Sequence, residues 1–293
     1  MARREPIQAD LDPRGFSVLQ AREAGMSRSR SRASDLEVPW RGVRATRMML
    51  PRLPPGQFFS HSTAARLYGI PLPRSVESES TLHVSACGGL QPPRARFVVG
   101  HRAGAEVRVR TWRGLPVCAP ERVWMQLAGV LEEDDLIVAG DDLVRRKRPL
   151  TSMDRLVAEI AAASGRRFVT VARNALDQIR SGTDSPMETR LRRIIVRGGL
   201  PEPVIGNTVY NRAGEFIGTP DLAYVDEKIA IEYQGQVHQT NPKVYAEDAI
   251  RREQFEEIGW LVIPVYKDHV YLRPAWIVSR ISSALHKRAA RVQ

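Results

Sequence analysis

Two short apolar runs near the C-terminal end of the chain constrain its fold more than any other segment. Residues 222–225 and 229–233 both have the composition of β-strands, and only three residues separate them. A tight turn at Asp226 and Glu227 makes Val225 face Lys228, which places Asp221 opposite Glu232. Directly opposed side chains on one face of a sheet have Cβ atoms about 5 Å apart. The spacing therefore predicts two carboxylates held side by side.

The two faces of this hairpin differ in character. Five apolar residues share the face away from the carboxylates: Leu222, Tyr224, Ile229, Ile231 and Tyr233. We expect that face to be buried and the opposite face to carry charge. Two adjacent carboxylates repel each other unless a cation lies between them, and oxygen ligands suit Mg²⁺. The pattern predicts a divalent-cation site at the hairpin.

Charge is distributed unevenly along the 293 residues, whose net charge is +11. Residues 1–180 hold 29 Lys and Arg against 19 Asp and Glu, a net charge of +10. Residues 181–293 hold 15 against 14, a net charge of +1. The basic part is thus separate from the acidic pair. A basic N-terminal part is typical of a protein that binds a polyanion such as DNA. The alternative interpretation of this charge is an Arg-rich surface that contacts only solvent.

Cysteine usage and hydropathy argue against secretion and membrane insertion. Cys87 and Cys118 lie far apart without a C-x-x-C motif, which indicates buried thiols rather than a zinc ribbon or a redox pair. No apolar run approaches the roughly 20 residues that span a bilayer. The N-terminus also lacks the apolar stretch of a signal peptide. We expect a cytoplasmic protein that does not bind membranes.

Residues 1–50 have the order of a winged helix-turn-helix. A first helix is predicted to end at Gly25, a second to run over 28–36, and a β wing to follow over 38–46. In that fold the second helix enters the major groove of DNA. A small packing module with a solvated Arg–Ser face is the alternative. The candidate DNA contacts are the arginines of the second helix, Arg28, Arg30 and Arg32.

The rest of the chain divides at two turn-rich linkers, 48–56 and 181–184. Residues 57–180 predict an α+β middle domain, with a short helix after Ser60, several β-like runs, and four further helices. Residues 185–293 predict a third domain that opens on a helix. Its first residues, Ser185 to Glu188, supply an N-cap Ser, Pro at the first helical position and Glu at the third.

Several motifs of residues 185–290 occur in the order found in a known nuclease group. They are the runs from Ser185 to Arg192, Pro220–Asp221, Ile231 to His238, and Asp248 to Trp260. With these motifs the C-terminal part resembles the endonuclease-like domains related to very-short-patch-repair endonuclease, within the PD-(D/E)xK superfamily. The N-terminal region more loosely resembles the winged-helix and following domain of AbiEi-type antitoxins from toxin–antitoxin systems.

The resemblance implies a restriction-endonuclease-like α/β (α+β) domain, with a mixed central sheet flanked by helices. It further implies Mg²⁺ or Mn²⁺ bound by Asp221 and Glu232, with the carbonyl of Tyr233 as a further ligand. Gln234 stands where the superfamily usually has a lysine that helps activate water. His238 matches the histidine that, in the repair enzymes, lies near the scissile phosphate.

Two further residues have two interpretations each. Glu188 either completes the metal shell from its helix or only closes a capping box. Arg251 either contacts a DNA phosphate or pairs with Asp248 three residues earlier on the same helix.

The function expected from the sequence is metal-dependent cleavage of DNA. Asp221 and Glu232 would hold Mg²⁺, Gln234 and His238 would assist water activation, and the basic N-terminal region would bind DNA. One alternative is a non-catalytic DNA-binding regulator that keeps a degenerate nuclease fold. Another is an antitoxin-like protein that binds a second protein. A protein partner and a homodimer both remain open.

Overall fold

The computed structural model describes Leu11 and residues 16–28, 30–32, 36–37, 43–46, 53–79, 81–95, 97–165, 167–235 and 242–290. These residues divide into two compact units. The first lies within 1–143 and 150–178, and the second within 144–149 and from 179 onwards. Both are mixed α/β structures. The three-domain division stays a prediction.

The N-terminal residues form the three strands of a small antiparallel sheet and two short helical elements. These are β1 (Phe16–Ser17), α1 (Val18–Glu23), a 3₁₀ turn (Arg30–Arg32), β2 (Leu36–Glu37) and β3 (Val43–Thr46), with the strand order β1-β3-β2. The first predicted helix is found, and it ends before Gly25, whose φ is 77°.

The predicted second helix over 28–36 is wrong. One turn of 3₁₀ helix replaces it, and Leu36 lies in β2. Ser27 caps this turn, because its hydroxyl accepts from the Arg30 N–H at 3.1 Å. A longer helix is excluded at Leu36, which pairs with Thr46 of β3 in the small sheet.

A five-stranded sheet, in the order β6-β5-β4-β8-β7, forms the centre of the first unit. Its strands are β4 (Gln57–Phe59), β5 (Leu82–Ala86), β6 (Val98–Arg102), β7 (Val109–Trp112) and β8 (Leu115–Cys118). The β5–β6 and β4–β8 pairs are parallel, and the other two are antiparallel. The sequence did not predict β8, which follows β7 through the tight turn at Arg113 and Gly114, both with positive φ.

Six helices of the described residues accompany that sheet. Five fall close to their predicted positions, and the short helix at 74–77 was not predicted. They are α2 (His61–Tyr68), α3 (Arg74–Glu77), α4 (Pro120–Leu127), α5 (Glu133–Leu143), α6 (Met153–Ala162) and α7 (Val169–Leu176). The core includes fully buried Trp124, whose indole N–H donates to the Leu136 carbonyl at 2.9 Å.

The second unit contains a four-stranded mixed sheet in the order β14-β13-β12-β9. Its elements are α8 (Pro186–Arg197), β9 (Val204–Ile205), β10 (Val209–Tyr210), β11 (Phe216–Gly218), β12 (Leu222–Tyr224), β13 (Ile229–Gln234), α9 (Pro242–Glu257), β14 (Leu261–Tyr266), α10 (Lys267–Leu272) and α11 (Pro274–Ala289). β12 is antiparallel to both β9 and β13, β13 is parallel to β14, and β10 and β11 form a separate hairpin.

The predicted register of the β12–β13 hairpin is confirmed. Leu222 pairs with Ile231, and Tyr224 pairs with Ile229. The turn closes through the Lys228 N–H, which donates to the Val225 carbonyl at 3.1 Å. One step beyond the last pair, the same register sets Asp221 opposite Glu232.

The predicted division into one buried and one charged face is wrong, because both faces of the hairpin are covered. The apolar face packs into a core that includes Leu191 of α8 and Ile277 of α11. On the other face, Ala223 and Ala230 are fully buried against Phe255 of α9. Small alanines let the helix approach closely. The acidic residues therefore lie at one end of a buried face.

No helix of the described residues is long and apolar enough to cross a bilayer.

The end of α8 requires glycine for a steric reason. A Cβ on Gly198 would lie 2.5 and 2.7 Å from the two methyl carbons of Val278 in α11. We expect Gly198→Ala to lower the free energy of unfolding by about 1–3 kcal/mol, the usual cost of overpacking. Urea unfolding measures this, with Gly104→Ala as the control, because no atom lies within 4 Å of a Cβ there.

A double variant tests the cause of that loss. Adding Val278→Ala to Gly198→Ala removes the clashing methyl groups. The losses in unfolding free energy of the two single variants should therefore sum to more than the loss in the double variant. Strictly additive losses would contradict a direct contact.

Candidate metal and catalytic site

Asp221 is held at the entrance of β12 by the neighbouring strand. Its Oδ2 accepts a hydrogen bond from the Tyr233 backbone N–H at 2.7 Å. The residue before β12 thus continues the strand pairing through its side chain, which fixes the carboxylate beside β13.

Burial, followed by the charge of Glu188, raises the pKa of Asp221 to about 7. The Tyr233 N–H acts in the opposite direction. The Glu232 charge raises the pKa and the Arg251 charge lowers it, both by less. The carboxylates of Asp221, Glu188 and Glu232 therefore interact electrostatically, and negative charge on them is costly without a cation.

Glu232 is the more buried member of the pair, with 8% of its surface exposed. Its Oε2 lies 3.2 Å from Nη2 of Arg251 and 3.4 Å from the side-chain nitrogen of Gln234. Arg251 also contacts Asp248 at 3.3 Å. α9 thus brings a guanidinium to the acidic end of the sheet.

Glu188 donates to the predicted Ser185 cap, and its charge acts on Asp221. Its N–H donates to the Ser185 hydroxyl at 3.3 Å, and its Oε2 accepts from the Asp184 N–H at 2.8 Å. Burial raises the pKa of Glu188 despite these bonds. The Ser185 cap is confirmed, but the predicted capping box is not, because the Glu188 carboxylate accepts from Asp184 rather than from the Ser185 N–H. A place for Glu188 in a metal shell stays a prediction.

A basic segment that the sequence did not assign to this site lies beside it. Asp184 forms ion pairs with Arg146 and with Lys147, the latter at 3.1 Å. The hydrogen bond that Arg146 donates to Asp184 raises the pKa of Arg146, and the charges of Glu188 and Asp221 add to this. The basic run Arg145–Arg148 follows the end of α5 at Leu143 and belongs to the second unit.

The remaining predicted site residues have different surroundings. Arg28 is exposed, whereas Arg30 is buried, with 8% of its surface exposed, which disfavours its predicted DNA contact. The side chain of Arg32 and all of His238 lie outside the described residues. Arg251 is directed at Glu232 and Asp248, so a phosphate contact would have to compete with these pairs.

The donors at this site suit a hard divalent cation. Carboxylates of Asp221 and Glu232 and the backbone carbonyl of Tyr233 are the oxygen ligands that Mg²⁺ binds. A bound cation would also relieve the repulsion that raises the pKa of Asp221. The carboxylates of Glu188, Asp221 and Glu232 do not, however, bring three ligand atoms within 4.8 Å, a spacing that a histidine cluster elsewhere in the described chain does reach.

Comparisons with known proteins give two distant relatives. "Uncharacterized protein MT2308" and "Uncharacterized protein Rv2248", from two strains of Mycobacterium tuberculosis, are each 27% identical to this chain over 225 residues. The match covers 77% of this chain and 80% of each relative. No family model matches the chain, and no solved structure matches it.

The raised pKa of Asp221 makes the stability of the metal-free protein depend on pH. Its usual value is 3.8, so between about pH 4 and 7 the folded state holds a proton that the unfolded state releases. Stability therefore falls as pH rises through that window, by at most about 4 kcal/mol in all. Asp221→Asn keeps the acceptor for the Tyr233 N–H and should remove the part of this decline that Asp221 causes, leaving the smaller part that the raised pKa of Glu188 contributes.

Urea unfolding in EDTA at pH 5 and pH 8 measures the effect. Asp226→Asn, in the exposed turn of the same hairpin, serves as the control and should behave like the wild type. Equal pH dependence in the wild type and Asp221→Asn would contradict the raised pKa.

Proposed function

We propose that the second unit is a metal-dependent endonuclease domain that hydrolyses phosphodiester bonds of DNA. One observation carries the proposal: Asp221 and Glu232 face each other at the end of a mixed sheet, in the register that the hairpin fixes. The helix-flanked sheet and the order of motifs agree with the PD-(D/E)xK resemblance.

Each residue of the acidic end has a role in this proposal. Asp221, Glu232 and the Tyr233 carbonyl would hold Mg²⁺ or Mn²⁺. When bound, such an ion polarises the phosphate and lowers the pKa of water. Gln234 donates its amide N–H to Glu232, and its amide oxygen can accept a hydrogen bond from the attacking water.

Arg251 offers the positive charge that Gln234 lacks. Superfamily members usually carry a lysine at that strand position, and here α9 brings a guanidinium to 3.2 Å from Glu232 instead. A guanidinium is always charged and matches phosphate geometry. In this proposal Arg251 exchanges its pairing with Glu232 for the scissile phosphate once a cation neutralises the carboxylates.

Binding of the DNA backbone is assigned to the basic segments. Arg146, Lys147 and Arg148 are exposed and belong to the same unit as Asp221. Residues 1–180 carry most of the net positive charge. Affinity from such contacts falls steeply with salt concentration.

A second candidate is a DNA-binding regulator with a degenerate nuclease fold. Two observations favour it: Arg251 already neutralises Glu232, and a neutral Gln234 stands where lysine is usual. It predicts tight binding of a specific DNA sequence and no cleavage with either metal. An antitoxin-like protein would instead form a stable complex with a second protein and bind DNA weakly.

Cleavage assays on a DNA panel test the first candidate. With Mg²⁺ or Mn²⁺ the wild type should nick DNA, Asp221→Asn should not, and Asp226→Asn should act like the wild type. Binding of DNA by Asp221→Asn, measured by gel shift, should persist. Retention of full cleavage by Asp221→Asn would contradict the site assignment, and intact binding without any wild-type cleavage would favour the regulator.

The role of Arg251 predicts a loss of turnover. Arg251→Ala should lower kcat by about 10²–10³, the usual cost of removing a group that stabilises transition-state charge. The control is Arg252→Ala, an exposed neighbour on α9. An equal effect of both variants on DNA affinity, with kcat unchanged, would assign Arg251 to binding alone.

A further inference from the structure

Half of the six histidines of the chain converge in the first unit. His61 begins α2, His83 lies in β5 and His101 lies in β6. One ligand atom from each ring lies within 4.8 Å of the other two, and all three side chains are partly exposed. Solvent can therefore reach the cluster, and so can a ligand.

The sheet places these rings together through its register. β5 and β6 are parallel, and Ser85 pairs with His101. Since side chains two residues apart share a face, His83 lies on the same face as His101. His61 follows the end of β4, which is paired with β5. The cluster thus forms at one edge of a rigid scaffold.

His83 is oriented by a carboxylate behind it. Its Nε2 lies 3.1 Å from Glu79, and its Nδ1 lies 2.9 Å from Nε2 of His101. Glu79 is itself held by Ser62 at 3.0 Å. A proton on Nε2 directed at Glu79 leaves the Nδ1 lone pair facing the other rings. Metal-binding histidines are commonly oriented by a carboxylate in this way.

His61 is oriented by a buried serine pair. Its Nδ1 lies 3.0 Å from the hydroxyl of Ser60, which accepts from Ser85 at 2.7 Å. The N-cap residue Ser60 therefore does not cap α2 with its side chain. With its Nδ1 engaged, His61 has Nε2 for a ligand. Its φ of 51° lies in the left-handed region, a strain that often marks functional sites.

Crowding perturbs two of the three rings. Burial, with repulsion from His101 and His83, lowers the pKa of His61 to about 3. Burial, with repulsion from His83, lowers the pKa of His101. Both shifts follow from the close approach of the three rings.

We propose that His61, His83 and His101 form a three-histidine site for a transition-metal ion of the Zn²⁺ class, with the fourth position open to water or a ligand. Tetrahedral Zn²⁺ with Zn–N distances of about 2.0–2.1 Å needs ligand atoms about 3.3 Å apart. The 2.9 Å separation between His83 and His101 is close to this value. The His61 and His101 rings, stacked at 3.8 Å, would turn toward the ion.

This site is chemically distinct from the carboxylate site. Three nitrogen ligands favour Zn²⁺ and related ions, whereas carboxylates and carbonyls favour Mg²⁺. The two sets of residues also belong to different units. Zn²⁺ binding should therefore survive Asp221→Asn, which separates the two proposals.

Calorimetric titration of the full chain with Zn²⁺, after removal of metals by chelation, tests the proposal. The wild type should bind one ion at this site, and His83→Gln and His101→Gln should each lose it. His286→Gln is the control, because His286 is exposed on α11. Circular dichroism establishes that each variant is folded. Unchanged Zn²⁺ binding in folded His101→Gln, or no binding by the wild type, would overturn the proposal.

Two further measurements do not depend on removing a ligand. Co²⁺ bound to the wild type should show the intense visible absorption of four-coordinate geometry, and a weak octahedral spectrum would contradict it. Glu79→Gln should keep one ion per chain and weaken binding by about 10–100-fold, the usual cost of losing an orienting partner. Unaltered affinity in Glu79→Gln would show that Glu79 does not orient His83.

Discussion

The pairing of β12 with β13 is the interaction on which the candidate site depends. It sets Asp221 opposite Glu232, and the Tyr233 N–H then holds the Asp221 carboxylate at 2.7 Å. Both faces of the hairpin are buried. A shift of the strand pairing by one residue would therefore move side chains from one core to the other and separate the carboxylates. Core packing and site geometry are thus fixed by one register.

The charges around that pair are balanced locally. Burial makes negative charge at Asp221 costly, while Arg251 from α9 neutralises Glu232 and Arg146 lies near Asp221 from a distant segment. A divalent cation would neutralise part of this negative charge and free Arg251 from its pairing with Glu232. Metal binding would then make a guanidinium available to contact phosphate.

Local sequence signals predicted the hairpin register, the cap at Ser185 and most helices of both units, because each depends on neighbouring residues. The helix over 28–36 was wrong because Leu36 pairs with Thr46 in the small sheet, a contact that local signals do not show. The approach of Arg146 could not be predicted, since it depends on tertiary contacts across some forty residues. The same holds for the histidine cluster, whose members stand on three separate elements.

Binding of Mn²⁺, followed by electron paramagnetic resonance at pH 8, reports on the carboxylate pair itself. We expect the wild type and Asp226→Asn to bind an ion that Asp221→Asn does not bind. The high pH matters because Asp221 must lose its proton to act as a ligand. Equal Mn²⁺ binding by all three proteins, or none by the wild type, would contradict a metal site at the carboxylate pair.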